Sequence, residues 1–437
     1  MLVFIENTPR AYAWGSRDAL PALLGTAPTG EPQAELWLGA HPGDPATMAK
    51  GVARESTLID LIERDPEAYG VDGGQLPFLL KVLAIGAPLS LQVHPDKQQA
   101  EAGFDAEDAA GGPRDAPQRN YGDRSHKPEL LVALGEVTAL SGFRPLGAAR
   151  DDLETLAEAA GPGAGGAALR EAAERCLTDD PENQEAQEAQ DRDAELRAGF
   201  MRWALSGAPE VVAAVQEIGR LVQSNTPDLT EQLGSDRLTG LRQLAAAYPD
   251  DPGVLISLLL HLVRLLPGEA LFLGARQLHA YLSGIAVEVM AASDNVLRAG
   301  LTPKHVDAAE VLRVISTDEL ADPRFRPRLV QRGLVAYEPE VPDFRLLRAR
   351  LCEPGEGQDL PFGEDPGDRA QLVRIETPYP LVLIVTAGRV RVERAGAEYG
   401  EVAGVGRGQS LYVSAGAPVE LSGVGEVFVA TVGSSWG

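Results

Sequence analysis

The stretch Ser90-Leu91-Gln92-Val93-His94-Pro95-Asp96-Lys97 decides how we interpret the fold of this chain. Its polar and apolar residues alternate, which predicts a β-strand with one polar and one apolar face. Ser90, Gln92 and His94 share one face, whereas leucine and valine form the other. Such a strand would hold Gln and His side by side on a rigid support, as a metal site requires. Taken alone, however, a histidine on a strand is more often a structural residue.

Two further segments carry residues that would complete a metal site. In the segment 125–132, Pro128 favours extended backbone before it, so Lys127 and Glu129 are predicted to point to the same side. His279 lies on a predicted strand that follows a glycine turn. One glutamine, two histidines and one glutamate form a mixed nitrogen and oxygen set that suits a divalent ion such as zinc. The alternative is that these are unrelated polar residues near strand ends.

The composition indicates a globular protein with an acidic surface. A chain of 437 residues is too long for one ordinary core and suggests two or three domains. The net charge of −25 disfavours partners such as nucleic acid and anionic membranes. An anionic substrate would therefore need a local cluster of lysine and arginine.

The cysteines and the chain's beginning favour a cytoplasmic protein. Cys176 and Cys352 are the only cysteines, so a disulfide framework is excluded and a reducing compartment is expected. The first residues lack the basic region and long apolar run of a signal peptide. The longest apolar stretch, Val254 to Leu266, is too short to span a bilayer and is predicted to be a buried helix.

The pattern along the chain divides it into three parts. Short strands separated by proline and glycine are predicted up to about Phe143. Helical spacing of apolar residues dominates from about Gly147 to Leu266. Strand patterns return at Pro267 and continue to the end, which is typical of sandwiches and jelly rolls. The simplest arrangement is a β-barrel interrupted by helices, followed by a second barrel that lacks histidine.

Several motifs resemble those of a known family. They are Tyr12-Ala13-Trp14-Gly15, the segments 34–42, 77–81, 91–96 and 126–129, and the long run from His279 to Lys304. With these motifs the chain resembles the type I mannose-6-phosphate isomerases, or phosphomannose isomerases, which are zinc enzymes of the cupin superfamily. The resemblance implies a mainly β fold with an α-helical insertion. It assigns 1–146 and 267–325 to a catalytic cupin jelly-roll barrel, 147–266 to a helical insertion, and 326–437 to a second, metal-free, cupin-like β-barrel.

The resemblance also implies roles for individual side chains, each carried over to a matching position. One Zn²⁺ per chain would be held by four ligands, Gln92, His94, Glu129 and His279. The catalytic candidates are Arg298, Lys127, Glu288, Asp294 and His126. The substrate-binding candidates are Ser90 and Lys304.

The implied reaction interconverts D-mannose 6-phosphate and D-fructose 6-phosphate through a cis-enediol. It needs a base, a group that stabilises the enediolate oxygen, and a phosphate anchor. Arg298 suits the second role because it is always protonated. The base stays open among Glu288, Asp294, His126 and Lys127. The expected partner is a small sugar phosphate, with no nucleic acid or membrane, and the expected state is a monomer.

Two other functions are compatible with the same residues. A cupin non-haem iron oxygenase would use His94, Glu129 and His279 as its two-histidine, one-carboxylate triad. A non-catalytic sugar-phosphate binding protein would keep the fold without turnover. The remaining histidines, His41, His261 and His305, are interpreted as structural.

Overall fold

The computed structural model describes residues 1–49, 57–114, 116–177, 186–224, 227–353, 369–396 and 401–433. These residues form two ten-stranded sheets and a group of helices. The strands are β1 (Leu2–Glu6), β2 (Glu35–Leu38), β3 (Thr47–Met48), β4 (Phe78–Ile85), β5 (Leu91–Val93), β6 (Glu129–Ala133), β7 (Val137–Phe143), β8 (Leu260–Leu265), β9 (Ala270–Leu273), β10 (His279–Ala291), β11 (Leu297–Gly300), β12 (Arg324–Phe325), β13 (Arg328–Gln331), β14 (Leu334–Tyr337), β15 (Arg345–Leu351), β16 (Leu372–Ile375), β17 (Leu381–Arg394), β18 (Val402–Gly406), β19 (Ser410–Val413) and β20 (Val419–Thr431). The helices are α1 (Ala19–Leu24), α2 (Leu58–Arg64), α3 (Pro66–Tyr69), α4 (Lys97–Ala110), α5 (Leu146–Ala160), α6 (Ala164–Glu174), α7 (Ala186–Ala204), α8 (Pro209–Gln223), α9 (Pro227–Leu233), α10 (Ser235–Ala247), α11 (Gly253–Ile256) and α12 (Ala308–Val314).

The first sheet is organised around the long strand β10. Its first residues pair with β5 and β7, and its later residues pair with β4 and β6. The order along the main path is β11-β5-β10-β6-β9-β12, with β2, β4, β7 and β8 attached beside it. All of these pairings are antiparallel. Strand β10 therefore brings together segments that lie nearly 200 positions apart in the sequence.

The second sheet runs in the order β13-β14-β15-β20-β17-β19-β1-β3, with β16 beside β20 and β18 beside β17. Most of its strands come from the last quarter of the chain. The exceptions are β1 and β3, since Leu2–Ile5 pairs with β19. The amino-terminal strand thus belongs to the same sheet as the carboxy-terminal strands. The predicted mainly β fold with helices between its strands is confirmed.

The prediction of one buried helix from Val254 to Leu266 is wrong. It forms α11, then a 3₁₀ turn at Ser257–Leu259, and then strand β8. Strand β8 pairs antiparallel with β7, so Leu260–Leu265 belongs to the first sheet rather than to the helical insertion. The helix prediction is wrong here because a short apolar run that is buried on most sides fits both periodicities.

Each sheet buries one face in a core that the two sheets share. In β4, Leu80 and Val82 point into this shared core, and in β17, Val382 and Ile384 do the same. The helices α5, α6, α8 and α10 pack through leucine, valine and alanine into a separate cluster, which also contains Leu91 and Val93 of β5. This cluster supports β5 from behind and leaves its polar residues facing the other way. Among the described residues, we find no helix with the length and apolar character needed to cross a membrane.

Candidate metal centre

Three buried side chains converge at the middle of the first sheet. The carboxylate of Glu129 lies between two imidazoles, with Oε1 3.4 Å from Nε2 of His94 and Oε2 3.6 Å from Nε2 of His279. The two rings are 5.0 Å apart between centroids. One ligand atom from each residue lies within 4.8 Å of the others, which is close enough for all three to hold one metal ion.

The outer nitrogen of each imidazole is already occupied by the backbone. Nδ1 of His94 lies 2.6 Å from the carbonyl oxygen of Asn295, and Nδ1 of His279 lies 3.0 Å from that of Gln277. A carbonyl only accepts, so each Nδ1 donates and each Nε2 keeps a free lone pair. Nε2 of His94 is fully buried and has no hydrogen-bond partner among the described residues. A metal ion between the three side chains would remove this unsatisfied polar atom, so the residues fit such a group.

Protonation in the cluster also matches what a metal ion needs. Burial lowers the pKa of His94 and lowers that of His279 to about 4, so both rings are neutral at pH 7. Burial alone would raise the pKa of Glu129, but Lys127 is the foremost of the neighbours that outweigh it and hold that pKa well below its usual range. Lys127 Nζ lies 2.8 Å from Glu129 Oε1. Neutral imidazoles and an ionised carboxylate are the forms that bind metals.

Gln92 lies in the row of residues that crosses the sheet at this point. Its Cα pairs with His279 on one side and with Arg298 on the other. Its side-chain amide donates to the hydroxyl of Ser90 at 3.1 Å, which leaves the amide oxygen available. The sheet register therefore places the candidate fourth ligand next to the cluster, with the candidate catalytic arginine beyond it.

A second polar group lies on the same face of the first sheet and includes residues that the sequence did not single out. Glu288 accepts a hydrogen bond of 2.9 Å from the hydroxyl of Tyr281 and lies 3.5 Å from Lys81 Nζ. Lys81 also lies over the ring of Trp37, whose indole N–H donates to Glu35. Burial and the nearby charge of Glu129 raise the pKa of Glu288 to about 7. In the sequence, Lys81 appears as the single charge within the apolar run of β4 and as the last residue of the motif 77–81.

The loop after β10 fixes the backbone of Asp294, one residue before the carbonyl that contacts His94. The Asp294 N–H donates to Asp123 at 2.8 Å, and the amide of Asn295 also donates to Asp123 and Ser125. The carbonyl of Asn295 is the one that accepts from His94. The side chain of Asp294, however, is 65% exposed, and its Oδ1 lies 3.7 Å from Nε2 of His41.

The other predicted site residues differ in their surroundings. His126 Nε2 lies 2.7 Å from Asp343, a residue that precedes β15 of the second sheet. Arg298 is half-buried and Lys304 is exposed, and burial lowers the pKa of both. The charge of Arg298 lowers the pKa of Lys304 further. Neither side chain has an ion-pair partner within the described part of the chain, so two cations lie near each other uncompensated.

The chain is similar to known proteins in both sequence and fold. A sequence description of the type I phosphomannose isomerase catalytic domain matches residues 2–146. The mannose-6-phosphate isomerase of Escherichia coli K12 is 40% identical over 312 residues, covering 70% of this chain and 72% of that protein. The chain belongs to the type I phosphomannose isomerases. The family suggested by the sequence motifs is thereby confirmed.

More distant members of the family match over similar lengths. The human mannose-6-phosphate isomerase is 32% identical over 363 residues, covering 78% of this chain and 80% of that protein. A crystal structure of a zinc-bound mannose 6-phosphate isomerase superposes with a TM-score of 0.79 at 31% identity and covers 99% of both chains. The isomerase fold therefore extends over both sheets and the helices, and beyond the matched catalytic domain.

Proposed function

We propose that this protein is a zinc-dependent isomerase that interconverts D-mannose 6-phosphate and D-fructose 6-phosphate. The observation that carries the proposal is the Glu129 carboxylate between two neutral, outward-anchored imidazoles in a chain of this family. Gln92, His94, Glu129 and His279 would hold one zinc ion. Zinc bound there acts as a Lewis acid toward the sugar oxygens.

The substrate's charge would be met by the unpaired cations beside the cluster. Lys304 and Ser90 are proposed to anchor the phosphate, since a phosphate dianion requires positive charge in a protein of net charge −25. Arg298 is proposed to stabilise the negative oxygen of the enediolate, because its guanidinium stays protonated even though burial lowers its pKa. Lys127, which touches Glu129, would keep that carboxylate ionised and orient the sugar beside it.

Among the candidate bases, Asp294 has the surroundings that the role requires. A base must reach the sugar's C1 and C2 protons directly. His126 is engaged with Asp343, and Lys127 with Glu129. Glu288 is 2% exposed and is held by Tyr281 and Lys81. The exposed carboxylate of Asp294 lies on a backbone held by Asp123, one residue before the carbonyl that accepts from His94, and we therefore assign it the proton transfer.

The proposed reaction moves one proton from C2 to C1 and a second proton from the C2 oxygen to the C1 oxygen. Asp294 removes the proton from C2 of the open-chain aldose, and the electron pair of that bond forms the C1–C2 double bond of the cis-enediolate. Arg298 stabilises the oxygen that gains charge. Asp294 then returns its proton to C1 while the proton of the C2 hydroxyl passes to the C1 oxygen, which leaves the ketose and an ionised Asp294.

A coupled assay tests both the reaction and the metal. Conversion of mannose 6-phosphate to fructose 6-phosphate is measured on the purified protein, after chelation, and after zinc is added back. We expect activity that disappears with the chelator and returns with zinc. Iron in the protein together with oxygen uptake would instead favour the oxygenase. Tight binding of the sugar phosphate without turnover would favour the binding protein.

Replacement of the arginine tests the assignment of the enediolate contact. We expect Arg298→Ala to lose about 3 kcal/mol of transition-state stabilisation, as when one oxyanion donor is removed. This corresponds to about a 100-fold lower kcat or more. The measurement is kcat together with zinc content, which should stay at one ion per chain. A variant with normal turnover would remove Arg298 from the chemistry.

A further inference from the structure

His41 was interpreted as structural from the sequence, but its surroundings are those of the candidate site. It follows β2 in the chain, and its side chain is 4% exposed. The imidazole meets the ring of Trp37 edge to face, with centroids 5.1 Å apart and planes at 87°. Trp37 in turn lies under Lys81. The ring of His41 is therefore held in one orientation at the border of the polar residues on the first sheet.

The backbone beside His41 decides which nitrogen carries its proton. The N–H of Gly43 donates to Nδ1 of His41 at 3.1 Å. Nδ1 is therefore an acceptor, and the neutral ring carries its proton on Nε2. Burial lowers the pKa of His41; of the charged groups around it, Asp294 and Asp123 oppose this effect, whereas Lys81 and Lys127 reinforce it. The imidazole consequently presents an Nε2–H donor.

That donor faces a carboxylate whose backbone is fixed and whose side chain is not. Nε2 of His41 lies 3.7 Å from Oδ1 of Asp294, so a small rotation of the aspartate side chain closes the hydrogen bond. The Asp294 N–H is held by Asp123. The carboxylate itself has no other ion-pair partner among the described residues. His41 is thus the group placed to select one orientation of an otherwise exposed side chain.

We propose that His41 is a positioning residue, whose Nε2–H holds the Asp294 carboxylate in the orientation from which it exchanges a proton with the sugar. The inference rests on the proposed function, because it gives Asp294 its partner in that reaction. Asp294 takes the proton from C2 and returns it to C1. His41 keeps its own proton throughout. The proton of the C2 hydroxyl passes to the C1 oxygen within the substrate, so the step needs no other proton donor and no oxidant.

Two substitutions separate the donor from the rest of the ring. In His41→Gln, the amide nitrogen reaches the place of Nε2 and still donates to Asp294. In His41→Asn, the shorter amide reaches only the place of Nδ1, so the contact with Gly43 is kept and the donor is lost. We expect His41→Asn to lower kcat about 10- to 100-fold, the size of effect that a misplaced reacting group produces. KM should change less than about threefold, and His41→Gln should recover most of kcat.

A double variant shows whether His41 acts through Asp294. If it does, His41→Asn adds little to the loss caused by Asp294→Asn, and the two effects on kcat are not additive. The matched control is His261→Asn, which removes another partly buried histidine whose Nε2 contacts the carbonyl of Leu320. That change should affect stability and leave kcat unchanged. Zinc content should be the same in all of these proteins.

A spectroscopic readout that needs neither zinc nor turnover completes the test. The chain has 6 histidines, so ¹⁵N-labelled histidine gives a small set of ring signals. His41 should show the Nε2–H tautomer in the metal-free protein, and Asp294→Asn should shift that signal but not the signal of His261. Equal losses of kcat in His41→Asn and His41→Gln, unchanged kcat in both, or additive losses would overturn the inference. Absence of isomerisation by the unsubstituted, zinc-loaded protein would instead overturn the proposed function.

Discussion

The two sheets have similar architectures but differ in the side chains on the face that lies away from their shared core. Each has one face in the shared core, where β4 and β17 contribute aliphatic residues alike. The other face of the first sheet, here called the polar face, carries Lys81, Glu129 and Glu288, all less than 10% exposed. The corresponding face of the second sheet, here called the apolar face, carries aliphatic residues such as Leu383 and Val429 at 0% exposure.

This difference indicates how the fold separates chemistry from stability. Buried charges are costly unless each is paired and hydrogen-bonded, and on the polar face they contact one another. Aliphatic side chains on the apolar face stabilise the protein through burial alone. No histidine occurs after His305 in the sequence, so the second sheet lacks the commonest metal ligand. We infer that the second sheet stabilises a first sheet that carries a reactive and costly interior.

The largest expected effect comes from removing the carboxylate at the centre of the polar face. Glu129→Ala leaves two neutral imidazoles without the charged oxygen between them, so zinc should be lost. Replacing a residue that supports a metal ligand typically lowers activity about 10- to 100-fold, and the loss of kcat in Glu129→Ala should be larger. The matched control is Glu426→Ala, which removes a carboxylate of the second sheet that pairs with Arg348. Zinc content by mass spectrometry and kcat check both, and equal zinc loss in the two variants would contradict the comparison.

The next effect concerns the buried pair on the polar face. Lys81→Met leaves Glu288 without its cation, and we expect a loss of about 3–5 kcal/mol in the free energy of unfolding at pH 8. The pKa of Glu288 is already raised to about 7 by burial, above its usual value. A raised carboxyl pKa means that stability falls as pH increases, because the folded state resists ionisation. The variant should therefore be less destabilised at pH 5 than at pH 8.

Urea unfolding of the metal-free protein measures this effect without a contribution from zinc. The control is the double variant Lys81→Met/Glu288→Gln, in which the amide still accepts from Tyr281 and neither position of the pair is charged. It should recover much of the lost stability and lose the pH dependence. If the double variant were less stable than Lys81→Met at pH 8, the unpaired charge of Glu288 would not be the cause of the lost stability. Buried charge would then not be what makes the polar face costly.

The sequence predicted the orientation of side chains better in strands with alternating polar and apolar residues than in continuous apolar runs. The alternation around Gln92 and His94 marked one face as polar before any fold was known. The structure brings His94 next to His279 because β10 pairs with β5 at His279 and Gln92, and no local pattern contains that pairing. The motif resemblance supplied what periodicity lacked. The strand patterns and the resemblance both predicted the mainly β fold.

The sequence did not predict the positions of Lys81 and His41 or the strand at 260–265, and each case has a physical reason. Lys81 sits in a strand buried on both faces, where the usual two-residue alternation disappears and a lysine carries no positional signal. His41 acquires its contact with Asp294 across about 250 positions of sequence. The segment 254–266 was predicted as a helix because leucine spacing in a fully buried run does not distinguish helix from strand.

A smaller effect, confined to stability, is expected on the apolar face. Leu383→Ala removes a fully buried side chain from the core of the second sheet and should cost about 2–5 kcal/mol. Because Leu383 packs in the core of the second sheet and not on the polar face of the first, kcat per zinc-loaded folded protein should not change. Chemical unfolding and the coupled assay give the two numbers. A fall in kcat at full zinc occupancy would show that the two sheets are not separable in function.

The smallest expected effect is a change in how stability depends on pH, and its direction distinguishes the two sheets. Glu338, which follows β14 in the second sheet, pairs with Arg328 and Arg345 at 2.5 and 3.1 Å. Burial would raise the pKa of Glu338, but the hydrogen bonds from the two arginines outweigh it and lower that pKa. A lowered carboxyl pKa contributes stability above the usual pKa, and this contribution is lost as pH falls through the folded value. Glu338→Gln should therefore cost less than about 1 kcal/mol at pH 7 and nothing in acid, measured by urea unfolding across pH. The contribution of Glu288 to the free energy of unfolding changes with pH in the opposite direction. If both carboxylates changed stability with pH in the same direction, the contrast between a destabilising polar face and a stabilising second sheet would be wrong.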